Sequence, residues 1–306
     1  MNHALVSIAV CTYNGEKYLR PQLESLIKQT YPNLEIIVAD DCSSDRTIEI
    51  LEEYQNKYTF FKYFQNKTNL GYKKNFENAV LKCSGEYIAL CDQDDIWDAN
   101  KILAQVSNIG NAAMIYHDSE FIDSLGQPLY RKMSDVLTLY EGTSPFPFIL
   151  TNCVSGHALL FKRQLLSEII PFDENIYHDR WIAFVASING GIKLIPEALV
   201  QYRQHDTSET DILKLKKSKK SIKAGMYIAP STVEMIRGYR FRDSQYSEFF
   251  KDFADCFGAD YKLRKRSKLF RVLASQMDQI FYSSKKSYIS KLNLIRKICF
   301  RRNYQP

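Results

Sequence analysis

Four apolar runs of strand length alternate with segments of helical spacing over the first 91 residues, and this alternation limits the possible folds most sharply. Val6-Ser7-Ile8-Ala9-Val10-Cys11 reads as a buried strand, closed by the turn Thr12-Tyr13-Asn14-Gly15. Leu19, Leu23, Leu26 and Ile27 follow at helical intervals, and Tyr31-Pro32-Asn33 ends that helix. A second strand over 34–39 runs into Asp40-Asp41, and Ser43, Ser44 and Asp45 are candidate caps for a helix carrying Ile48, Leu51 and Tyr54. A third strand is expected over 60–65, a turn at Asn69-Leu70-Gly71, a helix over 75–81, and a fourth strand at Tyr87-Ile88-Ala89-Leu90-Cys91. Strands and helices in this order predict an α/β fold, a parallel sheet wound by right-handed crossovers.

Parallel strands end on one edge of the sheet, and ligands of open α/β sheets bind outside those carboxyl ends. Two acidic groups fall there: Asp40 with Asp41, and Asp92, Asp94 and Asp95 in Cys91-Asp92-Gln93-Asp94-Asp95-Ile96-Trp97. Carboxylates so crowded repel one another, and a divalent cation would offset the repulsion. Their hard oxygens suit Mg²⁺ or Mn²⁺, ions that reach a protein through one or two carboxylates and substrate phosphates. Spacing alone leaves a solvated acidic turn equally open, and Asp40/Asp41 taken by themselves read more readily as helix caps. No G-x-G-x-x-G follows the first strand and no P-loop occurs, which argues against a dinucleotide oxidoreductase or a P-loop kinase.

Farther on, a strand is expected over 112–116, a turn over 123–127 and loops over 143–147 and 171–175. Thr151 to His157 precedes an apolar run over 158–161, and Asn152, Ser155, Gly156 and His157 are candidates for an acceptor loop. Tyr177-His178-Asp179-Arg180-Trp181 opens a helix through Ile188, and two short strands over 192–195 and 199–202 lead to Arg203-Gln204-His205-Asp206. Trp97 and Trp181 read as core.

The seven cysteines are widely spread with no C-x-x-C, which favours a reducing cytosol over a zinc site or disulfide framework. Met1-Asn2-His3-Ala4 leads straight into a strand-like run, so no signal peptide is expected, and no apolar run is long enough for a membrane span. Charge divides the chain. Residues 1–206 carry 18 Lys and Arg against 26 Asp and Glu, whereas 207–306 carry 23 against 9. The tail is the half that would seek an anionic surface.

The ordered set V-S-I-A-V-C-T-Y-N, V-A-D-D-C-S-S-D-R-T, N-L-G, D-Q-D-D-I-W, H-D-R-W and Y-R-Q-H resembles the family 2 glycosyltransferases of the Rossmann-like GT-A fold, over about residues 4 to 206. The last three motifs look most like the bacterial rhamnosyltransferase-type members that build surface polysaccharides. The resemblance implies a catalytic domain over 1–206 and inverting transfer of a sugar from a nucleotide diphosphate, dTDP-L-rhamnose or a UDP-sugar, to a glycan or lipid-linked saccharide. Residue by residue, it places Thr12, Tyr13 and Asn14 in the nucleotide pocket, Asp41 at the base with Asp40 beside it, and Asp92 at the ribose. It makes Asp94 the ligand of Mn²⁺ or Mg²⁺, sets His205 near that ion or the diphosphate, and makes Asp179 the catalytic base. His178 is the runner-up base, since histidine titrates near neutrality. Lys73, Lys74 and Asn75 are further phosphate candidates or equally a solvated helix face. The competing readings are a sugar-nucleotide pyrophosphorylase, which would want a glycine-rich basic loop where Thr12-Tyr13-Asn14-Gly15 stands, and a non-catalytic sugar-binding or scaffold protein.

Residues 207–306 are expected to form a basic, mainly helical region. Lys214 to Lys220 is a basic run, and Leu269, Val272, Leu273, Met277, Ile280 and Phe281 recur at helical spacing, as do Tyr288, Leu292, Ile295 and Cys299. With Lys285, Lys286, Lys291, Arg296, Arg301 and Arg302 nearby, such helices suit the anionic inner face of a cell membrane. They equally suit packing within the protein or in a homo-oligomer. No nucleic-acid module accompanies the basic residues.

Overall fold

The computed structural model describes residues 3–173, 175–205, 213, 228–239, 245–257 and 263–300. Its contacts separate two compact units, Met1–Thr143 with Cys153–Lys217, and Ser144–Asn152 with Ser218–Pro306.

In the first unit β1 (Val6–Thr12), α1 (Glu16–Ile27), β2 (Leu34–Asp40), α2 (Thr47–Lys57), β3 (Phe61–Gln65), α3 (Tyr72–Lys82) and β4 (Tyr87–Cys91) alternate. All four strands are parallel, with β1 between β2 and β4. Every residue of β1 is buried, the signature of a central strand in a sheet covered on both faces. Leu19, Leu23 and Leu26 of α1 join Val6, Ile8 and Val10 in the core. Truncating one of these leucines to alanine costs about 2–5 kcal/mol, the usual range for a buried aliphatic side chain.

Then come β5 (Ile96–Trp97), α4 (Lys101–Asn108), β6 (Met114–Ile122), β7 (Pro128–Lys132), β8 (Leu160–Lys162), α5 (Leu166–Ile169), α6 (His178–Ile188) and β9 (Ile192–Arg203). The sheet order is β3-β2-β1-β4-β8-β6-β9-β5, with β7 beside β6. β6 and β9 are parallel, and the short β8, β5 and β7 are the antiparallel insertions, so the sheet stays mostly parallel.

The two strands expected over 192–202 are one. Ile195 faces His117 while Ala198 faces Asp118, so Pro196 and Glu197 bulge out of the ladder. Proline has no N–H to give a ladder, which is why the sequence reads as interrupted. β6 likewise runs six residues past its expected end at Tyr116, carrying His117, Asp118 and Ser119 inside. The expected loop over 143–147 tightens into a 3-10 turn at Phe146–Ile149.

The second unit holds α7 (Pro230–Gly238), α8 (Ser247–Asp255), α9 (Leu263–Ser275), α10 (Met277–Ile280) and α11 (Tyr288–Phe300). α11 packs on α9, and the Phe146 ring lies 4.6 Å from Phe249. Leu269, Val272, Leu273, Met277, Ile280, Phe281, Ile295 and Cys299 are buried, so most of the apolar stripe is used by packing. Tyr288 and Ile289 stay exposed. The Lys214 to Lys220 run, Arg301 and Arg302 lie outside the described residues. Among the described residues no helix is long and apolar enough to cross a membrane.

Candidate active site

The carboxyl ends of β1 and β2 meet in a dense hydrogen-bonded turn. Asp40 is fully buried, and both of its oxygens are taken. Oδ1 accepts from the Thr12 hydroxyl at 2.8 Å and the Ser43 hydroxyl at 2.5 Å; Oδ2 accepts from the Ser43 N–H at 2.8 Å and Gln65 Nε2 at 3.1 Å. Asp41 Oδ1 accepts from Asn66 Nδ2 at 2.9 Å and the Leu70 N–H at 2.8 Å, and Oδ2 from the Gly71 N–H at 2.8 Å. Asp41 therefore fixes the Asn69-Leu70-Gly71 turn, where Gly71 takes a φ of 82° that suits glycine. Asn75 is absorbed too, donating to the Ala39 carbonyl and accepting from Asn66. Asn14 adopts φ 46°, its N–H donating to Ser43 Oγ at 2.8 Å, while the Tyr13 ring stands half-exposed.

The end of β4 is built differently. Asp94 Oδ2 lies 2.8 Å from His205 Nε2, and the His205 ring is 5.1 Å from that of Tyr18 on α1. Asp95 is buried; Oδ1 accepts from the Arg203 N–H at 2.9 Å, but Oδ2 has no hydrogen-bond partner. His157 Nδ1 stands 3.7 Å from Asp95 Oδ2 and 3.9 Å from Asp92 Oδ2, while its Nε2 is 2.9 Å from Ser119 Oγ. Loss of solvent, then the charges of Asp94 and Asp179, push Asp92 up to about 7, though its side chain is 41% exposed. Burial, then the charges of Asp94 and Asp92, raise Asp95 well above the carboxylate range.

Asp179 sits half-buried in the first turn of α6, where a carboxylate is favoured by the helix dipole, and accepts from the Arg180 N–H at 2.6 Å. Its charge acts on Asp92, which ties α6 to the β4 cluster. His178 turns the other way. Its ring stacks on Phe76 at 4.6 Å, neither nitrogen has a hydrogen-bond partner, and burial with the Lys73 charge lowers it to about 3. A histidine so held binds a proton too weakly to serve as an effective general base near pH 7. Lys74 pairs with Glu77, and Lys73 lies over the Tyr72 and Tyr177 rings.

Three contributors escaped the sequence reading. Arg203 straps β9 to the acidic loop through Nε to the Asp94 carbonyl at 2.7 Å and NH1 to the Asp123 carbonyl at 3.1 Å. Its place in Y-R-Q-H was the available signal. Lys101 is fully buried, donates to the His157 carbonyl at 2.6 Å and lies 3.0 Å from the Trp97 ring centroid; burial lowers it well below the usual lysine range. Ser119 reaches His157 only because β6 extends. Nothing local marked either one. Both tryptophans are buried, and the Trp181 indole donates to the Ile169 carbonyl.

The model of the family described as Glycosyl transferase family 2 matches residues 7–170. An uncharacterised glycosyltransferase of Rickettsia typhi is 31% identical over 217 residues, 68% of this chain and 66% of that protein. Another, from Haemophilus influenzae, is 30% identical over 230 residues, 69% of each chain. The match spans only 59% of an uncharacterised Mycobacterium tuberculosis protein at 30% identity. Among solved structures, S. aureus TarS 1-349 in complex with UDP-GlcNAc superposes with a TM-score of 0.59 at 18% identity, covering 96% of this chain and 91% of that one. The mannosyltransferase PcManGT from Pyrobaculum calidifontis, in complex with GDP-Man and Mn²⁺, gives 0.53 at 15% identity over 95% and 78%. At such identities the likeness establishes the GT-A fold alone. Family match, motif order and sheet topology agree, and the chain belongs to the family 2 glycosyltransferases.

Proposed function

We propose that this chain is an inverting, divalent-metal-dependent glycosyltransferase that moves a sugar from a nucleotide diphosphate to an acceptor hydroxyl. The observation that carries the reading is the convergence on one edge of Asp94 with His205, 2.8 Å apart, and of Asp179 with the same acidic cluster. Three separate stretches of chain supply these groups.

An orphaned buried oxygen, Asp95 Oδ2, faces Asp92 and His157 beside the Asp94 and His205 pair, and a cluster of that composition fits a hard cation. Asp94 and His205 are the proposed ligands; Asp92, Asp95 and His157, whose ligand atoms lie within 4.8 Å of one another, form the competing set. Bound there, Mn²⁺ or Mg²⁺ would stabilise charge growing on the leaving diphosphate. Tyr13, Asn14, Thr12 and Asp41 border the nucleoside and Asp92 the ribose, with Asp40 acting through the turn it holds. Asp179 accepts the acceptor's hydroxyl proton as the new bond forms, with the proton moving late, as suits a carboxylate.

Asp179→Asn is expected to lower kcat by roughly 10²–10⁴-fold while donor affinity and Tm stay near wild type. Turnover near wild type would remove Asp179 from the mechanism. Calorimetry of dTDP-rhamnose, UDP-sugars and GDP-mannose with Mn²⁺ identifies the donor; rhamnose is favoured by the motif resemblance. The acceptor is a glycan or lipid-linked saccharide of a bacterial surface polysaccharide, reached from the cytoplasmic face of the membrane. Exposed Tyr288 and Ile289 beside Lys285 and Lys286 support that placement. Co-flotation with phosphatidylglycerol vesicles, lost in Ile289→Asp, checks it; a concentration-dependent dimer would assign the patch to a second copy.

A further inference from the structure

The turn after β1 and the loop after β4 are joined by one side chain. Gln93 Oε1 accepts from the Tyr13 N–H at 2.8 Å, and Gln93 Nε2 donates to the Tyr13 carbonyl at 3.1 Å. One amide thus satisfies both backbone polar groups of Tyr13, as a neighbouring strand would. The next two N–H groups are also held by side chains, Asn14 by Ser43 Oγ and Gly15 by Thr47 Oγ1, each at 2.8 Å. Gly15 supplies the room. A Cβ there would fall 2.3 Å from Gln93 Oε1 and 2.8 Å from Gln93 Cδ, so any side chain at position 15 displaces the amide.

We propose that Gln93 is a positioning residue that locks the nucleoside turn to the loop carrying Asp92 and Asp94, with Gly15 as the notch that admits it. This rests on the donor-site reading above. Gln93 stands between Asp92 and Asp94, so its grip on Tyr13 sets the span between the half-exposed Tyr13 ring and both carboxylates. A donor that touches both ends binds well only when that span is preset.

The test is a double-mutant cycle of Gln93→Ala and Gly15→Ala with two readouts. The first, amide hydrogen exchange at Tyr13 in the free protein, needs no ligand. Each single variant should accelerate it, and the double variant should add nothing, because both remove the same amide. The second is binding of UDP, dTDP or GDP with Mn²⁺. Each single variant should weaken the binding of the nucleotide that wild type takes by about tenfold, the worth of two modest hydrogen bonds, and the double variant should lose no more than that same tenfold. Tm should move little, since the bonds lie at the surface. Multiplicative losses near 100-fold, or Tyr13 exchange unchanged in Gln93→Ala, would overturn the lock. Non-additive exchange with undiminished nucleotide affinity would overturn the coupling and leave only a structural tie. Wild type binding none of the three nucleotides would overturn the donor-site reading, with the exchange cycle still deciding the lock.

Discussion

The two acidic strand ends look alike in sequence and differ in what surrounds them. At β2, Asp40 and Asp41 are buried and every oxygen accepts from protein donors. At β4, Asp94 meets a histidine at the rim, Asp95 keeps an orphaned oxygen, and Asp92 is raised to about 7 by lost solvent and by Asp94 and Asp179. The first group has its oxygens met by the protein and holds the turn that borders the proposed nucleoside pocket. The second is short of positive charge, which is the electrostatic condition of a site that takes a cation and a diphosphate. Burial alone does not separate them; the state of each carboxylate oxygen does.

The sharpest way to break this contrast is to remove one charge from each end. Asp94→Asn is expected to weaken Mn²⁺ binding by at least about 100-fold, beyond the effect usual for an outer-shell partner, with Tm unchanged. Calorimetry with Mn²⁺ alone measures it. If His157→Gln abolishes binding while Asp94→Asn does not, the cation belongs to the Asp92, Asp95 and His157 set.

Asp40→Asn should behave oppositely. Its new NH₂ would face two donors, either the Thr12 and Ser43 hydroxyls or the Ser43 N–H and the Gln65 amide. Losing those bonds inside the core should destabilise the fold by about 3 kcal/mol, read by urea unfolding. Asp95→Asn replaces a buried carboxyl whose charged form burial already disfavours and whose Oδ2 has no partner, so the metal-free protein should hold its stability within about 1 kcal/mol or gain. Equal destabilisation at 40 and 95 would erase the distinction between complete and incomplete ends.

Much of this was legible from residue order. The run Tyr87 to Cys91 is β4 to the residue, because an apolar stretch bounded by Gly85 and three carboxylates admits no other ends. Alternation through β4 predicted the parallel sheet for the same reason. What stayed hidden depends on distant pairing. Pro196 broke the pattern of β9 although a bulge absorbs it. Lys101 looks like a surface lysine until α4 buries it against Trp97 and the His157 carbonyl. His178 looks like a base until three aromatic rings close on it. Asp40 shows its saturation only once β3 delivers Gln65.

His178 supplies the smallest test and the most discriminating one. Like Asp95 it has buried polar atoms without partners, but Phe76, Phe172 and Tyr72 surround it in place of carboxylates, and the charge acting on it is that of Lys73. An orphaned atom therefore marks a ligand site only where opposite charge is missing. The folded histidine stays neutral down to about 3, whereas the unfolded one protonates near 6.5. Between those values the unfolded chain binds the extra proton, so stability is full above 6.5 and falls as pH drops, by about 1.4 kcal/mol per unit for this group. His178→Leu removes that slope. Between pH 7.5 and 5.0 its stability relative to wild type should shift by about 2 kcal/mol in its favour, measured by urea unfolding at both pH values. A pH-independent difference would mean that His178 takes up its proton folded as it does unfolded, near 6.5, and it would return His178 to the candidates for the base.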